Sequence, residues 1–428
     1  LPELILKDGL VLTPDFQTVK ADIAIEGNRI VSVGEVREKA ERLLDARGKL
    51  ILPGLVNAHT HLAMTLLRGY AEDLPLKRWL EEKIWPLERR LKPKHVYAGA
   101  LLGCLEMIKS GTTCFADMYF HMEEVARAVE ESGLRASLSY GIIELGDPDR
   151  RKAEIRKGED LLRKRGAAGG RIEVMFGPHA PYTCSDDCLM EIKELAEKHD
   201  VGIHIHLSET LEEVQECIKR TGKPPILHLK EIGFLTPRIL ASHCVHCEKE
   251  EINALAAAGV KVAHNPTSNL KLASGVAPVR EFLDAGIEVA LGTDGPASNN
   301  ALDMFWEMKL CALAQKWRKE DPSCLKVREI LKMATVGGAR ALGMKDVGTI
   351  EPGKKADLIL VDLKAPHLTP SHDICSNLVY SARGSDVHTV IVDGRILMEG
   401  RKVLTLQEEE VMERARRAAE ELVEDVAS

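Results

Sequence analysis

The sequence predicts an α/β protein: a (β/α)8 TIM barrel joined to a small β-sandwich domain built from the N- and C-terminal segments. Three observations predict it. Eight strand-like runs alternate with helical patterns from about residue 57 to residue 345, the texture of parallel βα units. Both flanks of that region read as short strands and turns. Histidines and carboxylates recur where the strand-like runs stop, and a barrel gathers those ends on one face.

In chain order, residues 1–56 supply the first part of the small β-domain. Leu4–Leu6, Asp22–Glu26 and Arg29–Val33 are apolar or alternating runs, with turns at Lys7-Asp8-Gly9 and Gly27-Asn28. Lys49–Val56 is a β-run broken by Pro53-Gly54. Residues 57–345 are assigned to the barrel. Its strands are expected at Leu55–Ala58, Thr112–Asp117, Arg135–Ile142, Arg171–Phe176, Val201–His206, Ile239–His243, Lys261–His264 and Glu288–Thr293. Val96–Lys109 (closed by Gly111), Cys188–His199 and Lys249–Ala258 are amphipathic and read as helices. An open doubly wound sheet shares this alternation, but no glycine-rich phosphate turn follows the first strand, which favours the barrel. Residues 346–428 return to β-texture in Ala356–Asp362 and Val387–Val392, then end in a charged amphipathic helix, Gln407–Val426.

Composition narrows the function. Hydrophobic residues make up 45% and charged residues 29%, as in ordinary globular proteins. A net charge of −8 argues against a general nucleic-acid or anionic-membrane binder, so a small neutral or zwitterionic substrate is expected. No 18-residue apolar run predicts a membrane span. Leu1-Pro2-Glu3 opens without a basic n-region, so a cytoplasmic location is expected. Cys184 and Cys188, and the isolated Cys244-x-x-Cys247, lack a second pair at finger spacing. Reduced, mostly buried thiols are expected rather than a structural zinc.

The strongest local signal is Asn57-Ala58-His59-Thr60-His61 after an apolar strand. Residues two apart on a strand point the same way, so His59 and His61 can aim two imidazoles at one point. Alone, the pair reads as well as two loop histidines. Later strand ends add His204-Ile205-His206 with Glu209 beyond, His243 and His246, His264-Asn265-Pro266, and Gly292-Thr293-Asp294-Gly295. Any one of these is weak, because a lone strand histidine is more often a satisfied core residue. Together, on a barrel, they point to a shared metal centre.

These motifs, with Pro53-Gly54-Leu55-Val56 before them, Gly177-Pro178-His179-Ala180-Pro181-Tyr182, Asn269-Leu270-Lys271-Leu272 and the run from Gly348 to Leu358, resemble the amidohydrolase superfamily. The likeness is strongest to its methylthioadenosine/S-adenosylhomocysteine deaminase branch, close to the 5′-deoxyadenosine deaminases, and spans nearly the whole chain. It implies that His59, His61, His206 and Asp294 bind one divalent metal, Zn²⁺, with Fe²⁺ or Mn²⁺ as alternatives. The bridging lysine of binuclear members has no counterpart in Arg171–Phe176, which implies one ion per subunit. Glu209, His243 and Asp294 are implied as catalytic, and Glu88 and His179 as substrate-binding together with Glu209 and Asp294. The implied reaction is hydrolytic removal of the 6-amino group of an adenosine-type nucleoside (5′-deoxyadenosine, 5′-methylthioadenosine, S-adenosylhomocysteine or adenosine), giving the inosine analogue and ammonia. A homo-oligomer, up to a tetramer, is in keeping with the branch.

Trp79 is expected as an apolar wall or a buried lid residue. Ser298 and Asn299 are candidates to touch the base, and His246 and His264 to support the site. One departure bears on substrate choice. Members that handle S-adenosylhomocysteine well carry an arginine after the third strand, where this chain has Ser139-Tyr140-Gly141-Ile142, with Arg150 or Arg151 in the following loop as a substitute charge. 5′-Deoxyadenosine and methylthioadenosine are therefore expected to be at least as good as S-adenosylhomocysteine. The H-x-E and P-C-x-x-C zinc deaminases are excluded, because no proline precedes Cys244. A guanine/triazine aminohydrolase or chlorohydrolase on the same scaffold, or a catalytically silent scaffold protein, remains an alternative. Glu209 argues against the first and the complete ligand set against the second.

Overall fold

In the computed structural model, which describes residues 2–427, the strand-forming runs sort into two sheets. The N-terminal flank supplies β1 (Leu4–Leu12), β2 (Thr18–Glu26), β3 (Arg29–Gly34), β4 (Arg42–Asp45) and β5 (Lys49–Pro53). The barrel follows as β6 (Leu55–Thr60), β7 (Thr112–Tyr119), β8 (Arg135–Ile142), β9 (Ile172–Pro178), β10 (Gly202–Leu207), β11 (Ile239–His243), β12 (Lys261–His264) and β13 (Val289–Leu291). The C-terminal flank adds β14 (Leu358–Asp362), β15 (Val387–Val392), β16 (Arg395–Glu399) and β17 (Lys402–Val403).

β6 to β13 pair in sequence order, each parallel to the next. All eight expected strands are present, with β6 and β7 running on to Thr60 and Tyr119. Every residue of β6, β7 and β8 is buried, because a parallel sheet is covered on both faces. The last and first strands meet without a ladder. Instead, the Asp294 N–H donates to His59 O at 2.9 Å. The Asn57 amide spans the same gap, donating to Thr293 Oγ1 at 2.7 Å and accepting from the Thr293 N–H at 3.0 Å. At this seam a side chain thus works together with a backbone bond where a ladder does the pairing elsewhere.

Both chain ends build the small β-domain, as expected. Hydrogen bonding links its nine strands into one sheet that forks at β1. The first half of β1 pairs with β4, and Leu10 and Val11 pair with β5. β5 then runs antiparallel to β14, from Lys49 against Asp362 to Pro53 against Leu358. The enclosed apolar cluster includes Leu6, Ile23, Ile25, Ile51, Leu358 and Ile391, each worth about 1.5–3 kcal/mol when fully buried. The two sheets are tied by Arg135 at the start of β8. Its guanidinium donates to both Asp357 oxygens at 2.7 and 3.0 Å and to Asp393 at 3.0 Å.

The expected helices form at Pro93–Ser110, Asp186–His199 and Lys249–Ala258. Gly111, at φ +88°, closes the first in the left-handed conformation that glycine adopts without strain. The terminal helix Glu408–Ala427 buries Val411, Ala415, Ala418 and Leu422 and packs against Pro93–Ser110. After β6 comes a helical insert, Leu76–Trp79, a π-turn Leu80–Ile84 and Trp85–Glu88. All ten cysteines are free thiols, nine of them buried and Cys247 half-buried. Among the described residues no helix is long and apolar enough to cross a membrane.

Candidate metal centre

The C-terminal strand ends bring the predicted residues together. His59 and His61 leave β6 on one face, His206 comes from β10, and Asp294 follows β13. The ligand atoms of His59, His61 and Asp294 lie within 4.8 Å of one another, as do those of His59, His206 and His243. Asp294 Oδ1 stands 3.3 Å from Nε2 of both His59 and His61. Nε2 of His206 faces Nε2 of His61 at 3.2 Å.

Hydrogen bonding fixes which nitrogen of each ring is free. The Nδ1 of His61 donates to Met118 O at 2.5 Å, and that of His206 to His179 O at 2.7 Å. A carbonyl only accepts, so both rings carry their proton on Nδ1 and present a lone pair at Nε2. His59 reaches the same state through a relay. Ser139 Oγ donates to Asp117 O at 3.0 Å, so it accepts from His204 Nδ1 at 3.2 Å. His204 Nε2 is then the acceptor for His59 Nδ1–H at 2.7 Å. The Nε2 of His59, fully buried, has no hydrogen-bond partner among the described residues. Burial keeps His61 and His206 neutral: His61 falls to about 4 and His206 well below its ordinary value. Facing lone pairs 3.2 Å apart repel unless a cation lies between them. Three imidazole nitrogens and one carboxylate oxygen therefore fit a divalent ion of the zinc kind.

Asp294 is aimed as carefully. Its Oδ2 accepts from Ser268 Oγ at 2.6 Å and Ser298 Oγ at 2.9 Å, which leaves Oδ1 for the centre. Burial would raise its pKa, but the surrounding imidazole cluster of His59, His61 and His243 holds it well below the usual carboxylate range. Gly292 has no room for a side chain, since a Cβ would stand 2.3 Å from Asn265 Oδ1 and 2.9 Å from His59 N. Ser208, His243 and Asp294 all have left-handed backbone, at φ +51°, +75° and +60°, strain of the kind that gathers at functional sites.

Beside the cluster, His243 shares a hydrogen bond of 2.9 Å between Nδ1 and the Asn269 amide, and its Nε2 lies 3.7 Å from Glu209 Oε2. Glu209 is buried, and desolvation, reinforced by the charges of Asp294 and Glu213, pushes its carboxyl well above the usual range. Glu213 sets the turn by accepting the Ser208 and Glu209 N–H groups at 2.9 and 2.7 Å.

A single pocket is lined by His61, His179, His206, Glu209, His243 and Asp294, and closed by Trp79 and Glu88 from the helical insert. Thr183 Oγ1 donates to Ala180 O, so it accepts from His179 Nδ1 at 2.9 Å and leaves the His179 Nε2 lone pair for the pocket. Burial lowers His179 to about 3. Burial raises Glu88 to about 7, opposed by the neighbouring Tyr119 hydroxyl. Trp79 is both wall and lid residue, with its indole N–H held by Ala71 O at 3.1 Å.

Some candidates stand elsewhere. Ser298 lines the pocket, but the Asn299 amide is turned away, donating to Thr293 O and Glu307 at 2.7 Å each. His246 binds Ser274 O at 2.8 Å, and His264 is buried without a partner among the described residues. Arg151 faces Asp187 and Glu191 at 3.4 and 3.5 Å rather than the pocket. The sequence motifs contain His204, Ser139 and Asn269 but give them no individual role, while Ser268 and Glu213 lie outside them; of these two only Glu213 carried a usable signal, an acid one helical turn past Glu209.

A 5′-deoxyadenosine deaminase of Methanosarcina acetivorans is 52% identical, over 99% of both chains. A 5-methylthioadenosine/S-adenosylhomocysteine deaminase of Pelotomaculum thermopropionicum is 50% identical, again over 99% of both. The crystal structure of an adenosine deaminase from Xanthomonas campestris with bound zinc superposes with a TM-score of 0.93 at 35% identity, covering 98% of each chain. The profile of the Amidohydrolase family matches residues 50–397, and the chain belongs to that family.

Proposed function

We propose that the protein is a metal-dependent aminohydrolase that converts the 6-amino group of adenosine-type nucleosides to a 6-oxo group, releasing ammonia, with His59, His61, His206 and Asp294 holding one Zn²⁺. Such an ion, when bound, supplies the Lewis acidity that makes water a nucleophile near neutral pH. Asp294 Oδ1, kept ionised, takes the proton of the attacking water and passes it to the leaving amine. Glu209, kept protonated by burial, donates to the ring nitrogen beside the attacked carbon and makes that carbon electrophilic. The Nε2 of His243 steadies the attacking oxygen as charge develops. Glu88 and His179 offer acceptors on the lid side, the chemistry that two adjacent ribose hydroxyls require.

The observation that carries this reading is one pocket that buries two carboxyls, Asp294 against the His59 and His61 Nε2 atoms and Glu209 beside His243, with burial driving Glu209 up and the imidazole cluster driving Asp294 down. Two carboxyl groups driven to opposite protonation states are the mark of divided acid and base roles. Past Glu88 the pocket meets a second cavity of about 610 Å³ lined by Tyr140, Arg150, Glu154 and Lys157. Tyr140 donates to Glu154 at 2.9 Å, and Lys157 is spent on Glu154 at 2.6 Å. Exposed Arg150 is left as the cation for a substrate carboxylate. An exposed charge contributes little, so small 5′ groups are expected to serve at least as well as one that bears a carboxylate.

The test is an ultraviolet assay of the adenosine-to-inosine change across a nucleoside panel, with and without chelator. Turnover should vanish with the metal and return with Zn²⁺. 5′-Deoxyadenosine and methylthioadenosine should match or exceed S-adenosylhomocysteine in kcat/KM. Chelator-resistant turnover would overturn the mechanism, and a strong preference for S-adenosylhomocysteine would overturn the specificity.

A further inference from the structure

We propose that the floor of the barrel, opposite the metal centre, carries a second ligand site, for a compact multivalent oxyanion of the phosphate type. A cavity of about 680 Å³ opens there, at the N-terminal ends of β8 to β12 and against the turn Ala341–Val347. Seven cationic side chains line it against three carboxylates, on a chain whose net charge is −8.

The three carboxylates are already engaged. Glu173 pairs with Arg165 at 3.2 Å, Asp200 with Arg238 at 2.8 Å and Asp346 with Arg29 at 3.0 Å. Arg135 and Lys355 are spent on Asp357 and Asp393. Arg171, Lys261 and Lys345 remain without a carboxylate partner among the described residues. Arg171 donates to Leu134 O at 3.2 Å and Lys261 to Pro237 O. Both have partly lost water. Burial lowers the Arg171 pKa, opposed by the charges of Asp393 and Asp357 and reinforced by those of Arg135 and Arg395, and burial with the Arg238 charge lowers that of Lys261.

Cations crowded together and half withdrawn from water destabilise each other, and an anion placed among them removes that cost. Solvated surface lysines do not share this arrangement, because here an apolar wall of Met175, Leu342 and Val347 backs the charges. No aromatic residue lines the cavity, so nothing stacks a base, and the phosphate group itself is the recognised part. The site is independent of the deaminase reading.

The experiment is calorimetric titration of the full-length protein with inorganic phosphate and with uridine diphosphate, at constant ionic strength, alongside thermal melting. Saturable binding is expected, with a rise in melting temperature by mass action. Equal affinities assign the site to free phosphate, and tighter diphosphate binding assigns it to a nucleotide's phosphates. The Lys261→Gln/Lys345→Gln double variant should bind about tenfold more weakly. Lys345→Gln alone, at an exposed side chain, keeps the test open if the double variant does not fold. Nucleoside turnover in each variant serves as the fold control. Absence of saturation up to about 10 mM ligand, or unchanged affinity in the variants, overturns the proposal.

Discussion

A carboxyl group becomes an acid at neutral pH only where its surroundings forbid the charge, and Glu209 shows how. Buried beside Asp294 and Glu213, it holds its proton, and turnover should fall as pH rises through its elevated pKa. Glu209→Gln keeps the shape without a transferable proton, so kcat should drop by about 10²–10⁴-fold while metal content, read by elemental analysis, stays at the wild-type level. His204 sets a different test. Its only route to the centre is the 2.7 Å bond to His59 Nδ1, so His204→Ala should weaken metal binding about 10–100-fold in chelator competition, with circular dichroism unchanged. The two residues also mark what sequence could reveal. Glu209 is legible because a family motif carries it. His204 is legible only as one of the strand-end histidines, and its own role depends on Ser139, which reaches it only once β8 and β10 are placed.

The helical insert brings Glu88 over the pocket from a segment whose rim is exposed, and its carboxyl sits near pH 7. The ionised form accepts from ribose hydroxyls, so substrate capture should strengthen as pH rises through about 7. The acid limb of the kcat/KM profile should accordingly be flattened in Glu88→Gln, and a profile identical to wild type would separate Glu88 from substrate. Elements of this kind were largely readable. Barrel strands announce themselves as short runs recurring between amphipathic helical stretches, and Gly111 marks a helix end by its conformation. β4, β16 and β17 did not stand out. Arg42–Asp45 and Arg395–Glu399 are bounded by charges, and only pairing with β1 and β15 makes them strands.

Across the whole molecule, the buried Arg135 joins barrel to flanking sheet, and its two acceptors lie more than 200 positions away. Arg135→Ala leaves Asp357 buried and uncompensated, which should cost about 3–5 kcal/mol in urea denaturation. Neither partner could be named from sequence, since nothing local links them. The meeting of the two chain ends was foreseeable from their shared β-texture, but the β5–β14 register was not. That pairing sets a timetable for synthesis. β5 emerges roughly 300 residues before the strand that covers its edge, an interval on the order of 15–60 s at ordinary translation rates. Throughout it, the half-made sheet offers an unpaired edge to any neighbouring nascent chain. Truncated products ending before Leu358 should therefore precipitate rather than accumulate as free barrels.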